Sequence, residues 1–235
     1  MSARRDELAA SLDAVRRRIA VACSGAGRGE GDVALVVVTK FFPASDVRLL
    51  AELGVTDVGE NRHQEAEAKA AECADLGLRW HFIGGLQSNK AAAVARYADV
   101  VESLDRAKLV GPLSRGAQAR PGGEQVDVLL QVSLDPPGAD HRAGADPDDL
   151  VELGRRVDDA EGLELRGLMA VAPLGQDPAD AFTRLAGLRE AFLLEHPGAT
   201  ELSAGMSGDL EAAIAHGATH VRVGSAVLGP RPRVQ

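Results

Sequence analysis

Lys40 closes a run of β-branched residues in VVVTK, where a strand would deliver an ammonium group to the rim of a sheet or barrel. An amine that loses solvent there has a lowered pKa and reacts more readily with an aldehyde. A lysine in that place can also do no more than pair with a nearby carboxylate. Toward the other end of the chain, LSAGMSGDLEAAI (202–214) brings Gly205, Ser207 and Gly208 to an expected helix start, with Ser207 where an N-cap would sit. Free N–H groups and hydroxyls at such a start accept a phosphate. A well-capped helix would look the same, and Asp209 and Glu211 oppose an anion unless they turn away. VRVGSAVLG (221–229) repeats the device with Gly224 and Ser225. Strand alternation aims Arg222 inward, opposite to Val223. Its permanently charged guanidinium needs an acceptor, which a buried ion pair supplies as well as a ligand does.

These groups must be positioned by regular elements. Leu8, Leu12, Val15, Ile19 and Ala22 recur at spacings of three and four, which predicts an amphipathic helix from Ser2 to about Cys23. Beyond the glycine-rich break SGAGRGEGD, short β-branched runs alternate with helical patterns. Strands are expected at 33–39, 56–58, 79–83, 99–103, 127–133, 163–171, 200–202 and 220–223. Helices are expected at 45–53, 64–74, 90–96, 105–119, 147–157, 178–194 and 207–216, with Ser45 as the N-cap of the first of these and Pro147 in the first turn of the fifth. Eight strand-then-helix units in order read as an α/β fold, a single (β/α)8 TIM-type barrel preceded by an extra helix and spanning 1–235 as one domain. A doubly wound sheet is the alternative on pattern alone.

Composition narrows the chemistry. The 235 residues are 45% hydrophobic but only 3% aromatic, so the core is built from Ala, Val and Leu. A net charge of −9 argues against a nucleic-acid partner. Arg4, Arg5 and Arg16 to Arg18, beside Glu7 and Asp13, read as a solvated helix face. Cys23 and Cys73 form neither a CxxC nor a zinc pattern, which fits a reducing cytoplasm, and no apolar run is long enough to span a membrane. The GxG-like run at Gly25 to Gly29 precedes the first strand, with Glu30 where a dinucleotide site needs glycine.

In a (β/α)8 barrel the C-terminal ends of the strands carry the chemistry, and phosphates dock after strands seven and eight. An amine, two phosphate-binding turns and a fixed cation facing one cavity suit pyridoxal 5′-phosphate (PLP). The sequence also resembles the pyridoxal phosphate homeostasis proteins, whose barrel is similar to the N-terminal domain of alanine racemase. The resemblance rests on VTKFFP (38–43), DVGENRHQEA (57–66), WHFIGGLQSNK (80–90), VESLDR (101–106), LRGLMA (165–170), LSAGMSGDLEAAI (202–214) and GATHVRVGSAVLG (217–229). It implies a PLP-binding protein of intracellular cofactor homeostasis, with PLP held as a Schiff base (internal aldimine) on Lys40. Ser207, Gly224 and Ser225 would hold the phosphate, and Ser203 and Gly205 would belong to the cofactor-binding set. Arg222 would face the pyridine nitrogen, and Asn61 and Met169 would line the site. His81 and Asn89 fall in a family motif to which the residues themselves assign no job; His81 reads as a satisfied strand histidine. The chain departs from the family at Gly85, where many members have His, at Ala204 in place of Met, and at His141 to Gly144.

Three functional readings follow. The first is a PLP carrier without robust turnover, monomeric and cytoplasmic, with PLP-requiring apo-enzymes as recipients. The second is a PLP-dependent amino-acid racemase, which needs an acid/base group on each face of the substrate carbon. Lys40 could serve one face; in alanine racemase a tyrosine on a second domain of a partner chain serves the other. No such domain is expected here, where the single tyrosine, Tyr97, falls on the expected helix after strand four. The third is a barrel for a phosphorylated ligand with no covalent cofactor.

Overall fold

The computed structural model describes residues 3–135 and 144–230. A long helix, α1 (Ala3–Gly25), precedes eight parallel strands: β1 (Ala34–Val38), β2 (Asp57–Glu60), β3 (Arg79–Phe82), β4 (Val100–Leu104), β5 (Val126–Gln131), β6 (Leu163–Met169), β7 (Glu201–Ser203) and β8 (His220–Val223). Each strand pairs with the next, and β8 returns to β1 with Val36 opposite Arg222, so the sheet closes into a barrel. The expected (β/α)8 architecture is the one observed. Helices α2 (Ala44–Glu52), α3 (His63–Glu72), α4 (Ala91–Val94), α5 (Val110–Gln118), α6 (Leu150–Asp158), α7 (Pro178–Glu195), α8 (Leu210–Ala215) and α9 (Ser225–Leu228) surround it. Among the described residues no helix is long and apolar enough to cross a membrane.

Two-residue periodicity sorts each strand into an outer apolar face and an inner face. Val37, Val58, Trp80, Val221 and Val223 pack outward under α1, α2, α8 and α9, while Val101, Val128, Leu130 and Leu168 pack under the helices on the opposite side. The inner face is largely polar. At its lower, N-terminal end Arg79 pairs with Asp127, and Arg166 with Glu201 at 3.0 Å. Val100, Leu129 and Met169 form a small apolar layer. His81, Glu102, Ser203 and Arg222 are buried.

Three local expectations are corrected. Helix α2 has Pro43 as its N-cap, so Ser45 lies inside the first turn; proline's fixed extended geometry starts the helix without a side-chain cap. Helix α8 begins at Leu210, three residues beyond Ser207, because Asp209 turns back to accept a hydrogen bond from the Met206 N–H (2.6 Å). The arginines of α1 are not merely a solvated face. Arg4 donates to Asp46 (2.7 Å) and to the Leu228 carbonyl (3.1 Å), and Arg18 to Glu211 (2.7 Å) and the Ser207 carbonyl (3.0 Å). Together with the buried stripe Leu8, Leu12, Val15, Ile19 and Cys23, they fasten α1 across β8 and the β7–α8 turn.

Candidate functional site

At the C-terminal mouth of the barrel a cavity of about 260 Å3 is lined by Lys40, Phe41, Met206, Ser207, Arg222 and Ser225, among others. Lys40 reaches it from the turn after β1. Ser207 arrives on the β7–α8 turn and Ser225 at the start of α9, and the Ser225 hydroxyl donates to the Ser207 hydroxyl at 3.4 Å. The acidic neighbours are directed elsewhere: Glu211 is bound by Arg18, and Asp209 holds the Met206 N–H. Gly224 approaches β1 so closely that a Cβ there would lie 3.2 Å from the Val38 carbonyl oxygen. Two hydroxyls and two cationic side chains thus converge on one small space, a donor set for an anion. A second cavity, about 290 Å3, lies against α1 and is lined by Arg16, Cys23, Glu30 and Thr56; it contains no lysine.

Arg222 is 4% exposed and is held from beneath. One guanidinium nitrogen donates to Ser203 Oγ (2.6 Å) and another to the Ala170 carbonyl (2.8 Å). Ser203 passes its own proton toward Glu102 Oε2 (2.6 Å), which lies 3.6 Å from Arg222. Burial pulls the Arg222 pKa below its ordinary value, and the charges of Glu102 and Asp209 pull the other way. Burial by itself would raise the Glu102 carboxyl, but the hydrogen bond and charge of His81, reinforced by Arg222 and Ser203, hold it down at about 2. The inward guanidinium therefore has both of the partners considered for it: a buried carboxylate below and the cavity above.

The remaining expected residues fall at different depths. Lys40, Ser207, Arg222, Gly224 and Ser225 share the cavity wall. Ser203 lies beneath, fully buried, and acts through Arg222. Gly205 shapes the turn: its φ is +91°, and its carbonyl accepts from the Arg222 N–H at 2.9 Å. Met169 packs against Val100 and Leu129 below the mouth. Asn61 follows β2, and its backbone and side-chain oxygens lie within 2.5 Å of where a Cβ on Gly84 would be. Tyr97 stacks on His63 with ring centroids 5.9 Å apart, away from the cavity wall. Of the His141 to Gly144 element, 141–143 lie outside the described residues.

Two groups had no role assigned from sequence. Lys69 of α3 is buried and touches the carbonyl of Thr39, next to Lys40. Asp57, His81 and Glu102 join hands through the barrel interior, with His81 Nε2 3.0 Å from Asp57. The available signal was a charged or imidazole residue at an inward position on three consecutive strands, which an apolar barrel core would not tolerate singly.

A closed parallel barrel with a lysine after its first strand and hydroxyls after its last two defines a class. The model of the alanine racemase N-terminal domain matches residues 10–232, and the chain belongs to that family, on the branch of the pyridoxal phosphate homeostasis proteins. The pyridoxal phosphate homeostasis protein of Mycobacterium tuberculosis (strain ATCC 25618 / H37Rv) is 45% identical over 245 residues, covering 97% of this chain and 94% of that one. Among solved structures, a Bifidobacterium adolescentis protein described as unknown superposes with a TM-score of 0.86 at 35% identity, covering 97% of this chain and 96% of its own. PipY of Synechococcus elongatus PCC7942, solved with PLP bound, gives a TM-score of 0.80 at 36% identity, covering 94% of this chain and all of PipY.

Proposed function

We propose that this protein binds PLP at the barrel mouth and serves in PLP homeostasis, with Lys40 as the amine that takes the aldehyde. The observation that carries the reading is the convergence of Lys40, Arg222 and the Ser207–Ser225 hydroxyl pair on one cavity. That donor set fits a phosphorylated aldehyde: one primary amine, one fixed cation and two adjacent hydroxyls. PLP supplies an aldehyde that condenses reversibly with a primary amine, releasing one water, and a ring whose electron demand depends on the charge at its pyridine nitrogen. Ser207, Gly224 and Ser225 would grip the phosphate, and Gly205 would set the turn that presents Ser207. Arg222, kept cationic by Glu102, can donate a hydrogen bond to the ring nitrogen but not a proton, which favours holding the cofactor over carbanion chemistry. The exposed rim at Met206 and Ser225 leaves a path for entry and exit. The same reading makes the protein a cytoplasmic monomer that hands PLP to apo-enzymes, with Asn61 and Met169 shaping the site from behind.

The test is PLP addition followed by borohydride reduction and mass spectrometry of the peptides. The expected result is one adduct on Lys40, with the visible absorption band lost in Lys40→Ala. An adduct on another lysine, or a band that survives Lys40→Ala, overturns the assignment. Measurable exchange between D- and L-amino acids at enzyme-like rates would favour the racemase reading instead.

A further inference from the structure

Both peptide groups that flank Lys40 are held by one cluster, buried at Thr39, Glu60 and Lys69 and half-buried at Glu65. Lys69 Nζ donates to the carbonyl of Thr39 at 2.8 Å, just before Lys40. The N–H of Phe41, just after it, donates to Glu65 Oε1 at 2.6 Å. Lys69 also bridges Glu65 Oε1 (2.8 Å) and Glu60 Oε1 (2.7 Å), and Thr39 Oγ1 donates to that same Glu60 oxygen at 2.6 Å. Lys69 is 6% and Glu60 1% exposed, so their contacts with each other and with Thr39 are shielded from water, while Glu65 closes the cluster at its half-buried edge.

The turn so held is one the chain would otherwise leave. Phe41 has φ = +70° and, among the described residues, is the non-glycine residue with a positive φ. A side chain with a Cβ adopts that conformation at a cost, and persists in it only where surrounding contacts over-determine it. Here Glu65 fixes the Phe41 N–H, and Arg62 lies over the Phe41 ring at 5.1 Å. Release of the clamp would let Phe41 return to negative φ and rotate the Lys40 Cα–Cβ bond away from the cavity.

We propose that Glu65 and Lys69 are positioning residues for Lys40: they clamp the left-handed turn that aims its amine at the mouth cavity. The proposal rests on the reading of Lys40 as the reacting amine, but its test does not. Three forms are compared, wild type, Glu65→Ala and Glu65→Gln, the last retaining an oxygen that can accept from Phe41. Without PLP, the exchange rate of the Phe41 amide and the pH profile of Lys40 labelling by trinitrobenzenesulfonate are read by peptide mass spectrometry. With PLP, the affinity is read from the visible band.

Glu65→Ala is expected to accelerate Phe41 exchange, shift the Lys40 labelling profile and weaken PLP capture about tenfold, the scale of a small misplacement of a reacting group. Glu65→Gln should stay within about threefold of wild type. A purely structural role would lower thermal stability in both variants and leave the labelling profile of Lys40 where it was. That profile unchanged, with Phe41 exchange accelerated, overturns the proposal. A wild type that takes no PLP on Lys40 sinks the functional reading alone, since the labelling profile still decides whether the clamp acts. Should Glu65→Ala not fold, Glu65→Asp, one methylene shorter, is read in the same way.

Discussion

His81 and Glu102 form a contact closed to solvent at the centre of the barrel, with Nδ1 2.7 Å from Oε1, and both side chains are at most 2% exposed. Asp57 engages the other ring nitrogen at 3.0 Å, and Arg222 stands behind Glu102 at 3.6 Å. The series Asp57, His81, Glu102, Arg222 therefore alternates in sign and carries no net charge when His81 is protonated. Such alternation makes buried charge tolerable, because each ion removed from water meets an opposite one.

This arrangement fixes a pH dependence. Burial alone would depress the His81 pKa, but its bonds to Asp57 and Glu102 outweigh burial and hold it at about 9, against an ordinary 6.5. A raised histidine pKa contributes stability in full below about 6.5, and that contribution disappears as pH rises through about 9. Glu102, held at about 2 against 4.5, contributes in full above about 4.5 and loses its contribution as pH falls toward 2. Urea midpoints should therefore be highest between these limits and should decline from pH 6.5 to 9. The check is His81→Gln, in which the alkaline decline should shrink; an identical decline in both proteins would refute the role given to His81.

Removal of Glu102 tests the same series from the other side. Glu102→Ala leaves His81 and Arg222 facing a cavity with no anion between them and frees Ser203 Oγ from its acceptor. Breaking one partner of a buried ion pair costs about 3–5 kcal/mol. Glu102→Gln keeps the shape and one acceptor oxygen, and should cost less because His81 can become neutral. Equilibrium unfolding in urea measures both. Equal stability of Glu102→Ala and wild type would mean that the pairs contribute nothing.

The barrel was readable in the chain because each β-branched run is short and bracketed by turn residues, so periodicity could locate all eight strands even where their ends moved by a few residues. The ends moved where tertiary contacts set them. Ser207 looks like an N-cap, yet Asp209 claims the Met206 N–H and delays α8 to Leu210. The α1 arginines look solvated on a helical wheel, and only the packed fold reveals the Ser207 and Leu228 carbonyls within their reach. Lys40, Ser207 and Ser225 could be singled out because loops after barrel strands converge at one mouth. Glu65 and Lys69 could not, since their i, i+4 spacing is that of any helix-surface pair. Their importance comes from α3 lying against the Lys40 turn, a contact with no signature in the local sequence.

Gly205 offers a test of how tightly the β7–α8 turn must be built. Its φ of +91° lies in the left-handed region, and a Cβ there would fall 2.6 Å from Ala213 Cβ and 3.1 Å from Leu210 Cα. Strain of this kind costs about 1–3 kcal/mol, and the clash adds to it. Gly205→Ala should lower the melting temperature and displace Ser207, so that the preference for PLP over pyridoxal, which lacks the phosphate, falls. Calorimetry and paired titrations with the two aldehydes read the two effects. An unchanged preference would show that the turn does not present the phosphate donors.

The Ser207 and Ser225 hydroxyls, 3.4 Å apart on turns from two different strands, make the sharpest prediction about ligand class. A neutral hydroxyl that donates to a phosphate oxygen is worth about 1.5–3 kcal/mol, because the acceptor is charged. Ser207→Ala and Ser225→Ala should each weaken PLP about ten- to a hundredfold and leave pyridoxal unchanged within about twofold. The two side chains touch, so the double variant should lose less than the product of the single losses: removing one hydroxyl already frees its neighbour to turn. Titration of the four proteins with PLP, with pyridoxal and with inorganic phosphate as competitor separates these terms. Equal losses for PLP and pyridoxal would place the two serines outside the phosphate's reach and move the anion to another part of the mouth.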